Sequence, residues 1–125
     1  MDRVTIGNAA ADGANYRGWF VGHFLPQATT EVEVKWGVHR KGEVRAAWAV
    51  SRQATSMSLL VRGAIRLFFA TSSGAVPTEA LLAEPGDYAV WPPGVAHRWH
   101  IERDDTVIVT VRWPSLPGDA VDLAP

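Results

Sequence analysis

Cysteine is absent from all 125 residues, which excludes disulfides, thiolate metal ligands and thiol nucleophiles together. Long apolar runs are missing as well: no window approaches 18 consecutive apolar residues, so no helical membrane span is expected. The first stretch, MDRVTIGNAAADGAN, lacks the apolar centre of a secretory signal behind a basic start. The missing cysteines leave the redox compartment open, and a cytoplasmic protein is the default expectation from the missing signal and membrane span. Positive charge is neither plentiful nor grouped. Twelve Lys and Arg face thirteen Asp and Glu, for a net charge of -1, and only Arg40 and Lys41 are adjacent. A nucleic-acid binder concentrates its basic residues on one stripe, so no nucleic-acid partner is expected. Apolar residues spaced i, i+3, i+4, i+7 are not sustained anywhere, which argues against a helical fold. The G-x-S-x-G, G-x4-G-K-[ST] and H-E-x-x-H patterns are also missing, and no nucleotide cofactor is expected.

What the chain does have is short β-type runs between turn residues. Trp19 to Leu25 ends at Pro26, and Glu31 to His39 alternates with period two, the mark of a half-buried strand. After the turn Arg40-Lys41-Gly42, Glu43 to Val50 resumes as a strand. Ser56 to Val61 and Ala64 to Phe69 hinge at Arg62-Gly63; Leu81-Leu82 and Tyr88 to Trp91 flank Glu84-Pro85-Gly86-Asp87. His97 to Glu102 and Thr106 to Trp113 follow. Prolines fall at strand ends, where a missing N–H costs no ladder bond. Eight or nine such strands predict an all-β sandwich or barrel. The division expected is a loose segment over 1–15, one barrel over 16–114 and a C-terminal tail over 115–125.

Two local patterns narrow the choice. Gly86 to His97 reads G-x5-P-x-G-x2-H, and His39-Arg-Lys-Gly-Glu43 reads H-x3-E. Leu59 to Leu67, turned at Gly63, lies between them. In order and separation these segments resemble the two signature motifs of the cupin superfamily and the glycine-turned strand pair that joins them, over Phe20 to Trp113. The resemblance implies a single antiparallel jelly-roll β-barrel. It also implies a metal site on His39, Glu43 and His97, two imidazoles and a carboxylate suited to Fe, Zn, Mn or Ni. The pattern departs from the family where Gly37 replaces the first histidine and Ile101 the asparagine after the second motif.

Parity adds further site residues. If His39 points inward on a regular strand, Gly37 and Lys35 do too, with Glu33 and Glu31, while Val32, Val34, Trp36 and Val38 face the other way. A bulge near Gly37 is the alternative. Trp99 shares the parity of His97 and is expected to wall the pocket, whereas His100 points outward and is expected to be inert. Trp48 and Tyr88 are further wall candidates. His23 reads either as a packed residue or as a substitute for the ligand lost at Gly37. Three functions stay open: a metal-dependent enzyme acting on a small polar molecule, with Glu43 as ligand or general base; a metal-free small-ligand binding or sensing module; and an accessory barrel of a larger assembly. The stripe Val32, Val34 and Trp36, with Trp19 and Phe20, predicts a homodimer.

Overall fold

Period-two alternation builds nearly everything in the computed structural model, which describes residues 4–24, 29–70 and 78–123. Ten strands occur among them: β1 (Trp19–Val21), β2 (Glu33–His39), β3 (Val44–Ser51), β4 (Thr55–Arg62), β5 (Ile65–Ala70), β6 (Thr78–Leu82), β7 (Tyr88–Trp91), β8 (Ala96–Ile101), β9 (Thr106–Trp113) and β10 (Ala120–Asp122). They form two five-stranded antiparallel sheets, ordered β1-β2-β9-β4-β7 and β10-β3-β8-β5-β6. The end of the first expected strand, from Leu25, lies outside the described residues.

Two segments differ from the sequence expectation. The leading stretch contains a single helical turn, α1 (Ala9–Asp12), whose first turn is capped by Asn8 accepting from the Ala11 N–H. The expected tail adds β10, paired with β3 through Ala120–Ser51 and Asp122–Ala49. Asp119 anchors its start by accepting from the N–H groups of Gln53 at 2.7 Å and Ala54 at 3.0 Å.

The sheets meet over an aliphatic core of Leu60 and Ile108 from the first sheet and Ile65, Leu67, Leu82 and Ile101 from the second. Burying each side chain contributes about 1.5–3 kcal/mol. Gly63 lets β4 turn into β5. Its φ of +93° and the backbone of Thr106, 2.6 Å from where a Cβ would sit, admit no side chain.

This core also fixes which face is inside. Residues directly opposite in an antiparallel pair share a face, and Ile108 is opposite Gly37 and Leu60. The next inward layer is therefore Lys35, Thr110, Ser58 and Ala89, and beyond it lie Glu33, Arg112, Ser56 and Trp91. The β2–β9 register runs unbroken from Glu33 to His39, so there is no bulge at Gly37 and Glu33 and Lys35 point into the barrel, while Glu31 lies before the strand and is exposed. The outer face of the same strands carries Val34, Trp36 and Val38 against Val111, Val109 and Val107.

Candidate functional site

One end of the barrel interior is apolar and the other is polar; a cavity lies between them. Its enclosed volume is about 40 Å³, and about 320 Å³ when the open mouth is counted. Strand β2 contributes Lys35, Gly37 and His39; Ser58, Ile108 and Thr110 come from β4 and β9. From the facing sheet Ile65 and Trp99 complete the wall. A second, shallower hollow shares Lys35, Gly37 and His39 with the first and is bounded by Ala10, Gly13, Ala14 and Arg17. It adjoins the part of β2 beyond Trp36, which β1 does not pair.

Lys35, Gly37, His39 and Trp99 thus stand where parity puts them. His39 is held on two sides: its Nδ1 lies 2.8 Å from a Glu43 carboxylate oxygen, and its ring packs edge-on against Trp99 at 5.0 Å. The ring folds back over Gly37, its Nε2 only 2.8 Å from the position a Cβ would take there. The glycine that replaces the expected histidine therefore makes room for the neighbouring one. Glu43 is exposed in the turn between β2 and β3.

His97 sits elsewhere in the barrel. It is 6% exposed, its ring is 5.0 Å from that of Trp91, and its strand register puts it opposite Phe69 and Ala49. Burial lowers its pKa to about 4, and the positive charges of Arg112 and Arg45 act the same way. Among the described residues no three His, Asp or Glu side chains come together closely enough to hold a metal ion. His39 and Glu43 are brought together, but His97 does not join them, and two guanidinium groups act on His97 where a cation would have to bind. The donor set does not fit a metal as it stands.

Tyr88 does not line the pocket. It is 64% exposed, on an edge strand, opposite Leu59 on the outer face. Trp48 is also outside, its ring 4.8 Å below the Arg98 guanidinium. His23 does not substitute at Gly37: its Nδ1 is 2.6 Å from the Ser115 hydroxyl and its ring packs on Phe24. His100 has the outward parity expected, but it is half-buried against Phe68 at 4.9 Å.

The polar end holds groups that the motifs did not mark. Arg112 lies over the Trp19 ring at 4.8 Å, with the Lys35 ammonium 5.8 Å from the same ring. Burial lowers the pKa of Lys35, and Arg112, Arg45 and Arg17 lower it further. Burial likewise lowers that of Arg112, which Glu33 partly offsets. Glu33 itself, 8% exposed, is raised by burial against the opposing effects of Arg112 and His23. The parity of Arg112 was readable: in Thr-Val-Ile-Val-Thr-Val-Arg-Trp it shares a face with Thr106, Ile108 and Thr110.

Neither a protein-family profile nor a curated protein sequence matches this chain. Solved structures do. The capsular polysaccharide assembling protein CapF from Staphylococcus aureus superposes with a TM-score of 0.66 at 13% identity, over 78% of this chain and 30% of that one. QdtA, a sugar 3,4-ketoisomerase from Thermoanaerobacterium thermosaccharolyticum solved with TDP, gives 0.62 at 11% identity over 70% and 64%. KdgF from Halomonas sp. gives 0.57 at 18% over 71% and 74%. The chain thus spans about 30% of the CapF chain and most of the KdgF chain. With its two facing antiparallel sheets, this chain has the RmlC-like cupin jelly-roll fold.

Proposed function

We propose that the barrel binds a small polar molecule in its interior without a metal ion, as a ligand-binding or sensing module rather than the metal-dependent enzyme that the motif resemblance implies. The observation that carries this is the cavity bounded by Lys35, His39, Ser58 and Thr110 on one side and Trp99 on the other. A few convergent polar groups beside apolar and aromatic walls are what a small-molecule site requires. Its enclosed part, about 40 Å³, is well below the usual size of such sites, so a ligand bound there also occupies the open mouth. Two of the similar folds support a polar ligand by their own descriptions: a sugar ketoisomerase bound to TDP and a capsular polysaccharide assembling protein. The metal-free reading draws on the separation of His97 from the His39–Glu43 pair and on the positive charge around it.

The test combines metal analysis with a thermal-shift panel of hexoses, hydroxy acids and sugar phosphates. It compares the wild type with Thr110→Phe, which places a ring in the cavity. Purified protein should carry far less than stoichiometric metal. At least one class in the panel should raise the wild-type melting temperature and leave Thr110→Phe unmoved. Stoichiometric metal that His97→Ala removes would restore the metal reading. A panel that shifts neither protein would end the ligand reading.

A further inference from the structure

Beneath the cavity, the barrel buries donors that have nothing to donate to. Among the described residues the Nε atoms of Arg112 and Arg45, the indole N–H of Trp91, Nδ1 of His97 and the hydroxyls of Ser56 and Ser51 lack any hydrogen-bond partner. Ser56 is completely buried, Ser51 is 3% exposed, and Trp91 and His97 are each 6% exposed. Buried polar groups are nearly always satisfied, because leaving one unpaired costs about 1–3 kcal/mol. Apart from Arg98 Nε, which lies on the outer face against Trp48 and Phe68, these unpaired atoms gather instead of scattering. Arg112, Ser56 and Trp91 occupy one inward layer of the first sheet, and His97 packs its ring on Trp91 from the second.

The charges point the same way. Arg112, Lys35 and Arg45 act on one another as like charges inside the barrel. Their counter-charges are few. Among the described residues Arg45 pairs with Asp122 at the barrel edge, while Lys35 and Arg112 have no close ion pair. Asp119, whose oxygens accept from the backbone N–H groups of Gln53 and Ala54, and Glu33 both act on Arg112 as opposite charges, whereas no carboxylate is among the charges that act on Lys35. Half-buried cations grouped in this way are stabilised by a negative group placed among them. Lys35 lines the open cavity as well, so a molecule entering there meets it first.

We infer that the polar end of the barrel is an oxyanion site, which takes the carboxylate or phosphate of a small organic anion on Arg112, Lys35 and Arg45. Ser56, Trp91 and His97 stand beside it as neutral hydrogen-bonding groups, and the rest of the ligand lies in the cavity against Trp99. Arginine suits this role because its planar fork matches both oxyanions. The inference rests on the ligand-chamber reading above and narrows the ligand to an anion.

The test titrates the full chain with inorganic phosphate, malonate and xylose separately. Ionic strength is held constant with chloride, so that general screening does not imitate binding. Tryptophan fluorescence is the readout, since Trp19 lies under Arg112 and Trp91 beside His97, with melting temperature in parallel. Phosphate or malonate should give a saturable change and xylose none; the tighter of the two separates a phosphoryl from a carboxylate ligand. Lys35→Met keeps the aliphatic stem and removes the charge. It should weaken anion binding at least about tenfold without lowering the melting temperature, because it relieves repulsion from two guanidinium groups. Glu33→Gln removes the competing carboxylate and should tighten binding severalfold. Anion affinity that is equal in wild type and Lys35→Met would place the anion elsewhere and overturn the inference. Saturable xylose binding with both anions silent would overturn it and leave the chamber reading standing. Silence from all three probes would overturn it too, and the wider panel would then decide the chamber reading separately.

Discussion

Acidification should destabilise this protein through His97, and the size of the effect follows from where that side chain lies. In the folded chain the imidazole is 6% exposed and its pKa is held at about 4, against 6.5 in an unconstrained chain. Burial is the main cause, and Arg112 and Arg45 add to it. Between about pH 6.5 and pH 4 the unfolded chain therefore binds a proton at this residue that the folded chain refuses, so stability rises with pH across that window. At about 1.36 kcal/mol per pKa unit, the depression corresponds to roughly 3 kcal/mol lost on going from neutral pH to below 4. For a domain whose total is typically about 5–15 kcal/mol this is a large share. Glu33 works in the opposite sense. Its folded pKa is raised, so its contribution is present below the unfolded value and is lost as pH rises through the folded one. The wild-type profile alone thus mixes the two. The clean measurement is the difference between wild type and His97→Gln, from urea unfolding at steps between about pH 7.5 and pH 4.5. The wild type should lose roughly 2–3 kcal/mol relative to the variant over that range. Parallel profiles would show that His97 is not buried beside positive charge and would refute the assignment of the polar end.

Three further outcomes test the fold and its surfaces. Gly63→Ala should cost at least about 2 kcal/mol in urea unfolding, because φ is +93° and the added Cβ meets the Thr106 backbone; a neutral result would mean that the β4–β5 turn differs. Asp119→Ala should cost about 2 kcal/mol by stranding the N–H groups of Gln53 and Ala54, and amide exchange at those two positions should speed up. Light scattering should give twice the 13.6 kDa chain mass if the apolar outer face of the first sheet joins two copies, and Val38→Glu should return it to monomer; wild-type monomer at micromolar concentration would defeat the dimer.

The strands were legible because period two and turn residues were both written in the chain. Tyr88–Trp91 and Thr106–Trp113 fall where expected, most other boundaries move by one to three residues, and the first strand stops at Val21, with Gly22 to Phe24 outside it. β10 was not legible: Ala120–Asp122 is too short to alternate, and its register with β3 sets it as a strand. For the site, parity placed Lys35, Gly37, His39 and Trp99 on the cavity wall, since faces follow from counting by twos. Parity carries no information about depth along the barrel, so it could not show that His97 lies beside Trp91, apart from His39. Trp19 was expected at an interface for a related reason. Aromatic residues usually mark contact surfaces, yet this one is opposite Lys35 and lies beneath Arg112.

Depth and face together explain what the motifs could not. On β2 and β9 the outward positions are Val34, Trp36 and Val38 against Val111, Val109 and Val107, while the inward ones include Glu33, Lys35, Thr110 and Arg112. A sheet made only to close a core would have these two faces exchanged. Of these outward residues Val38 is 58% exposed while Val107 is fully buried, so the exposed apolar surface centres on Val38. The charges inside are unfavourable for a dry barrel. Each cost would be offset by a different companion: another apolar face on the outside, and the anion proposed within. The same two strands thus present both faces, and Lys35→Met and Val38→Glu, three positions apart, address them separately.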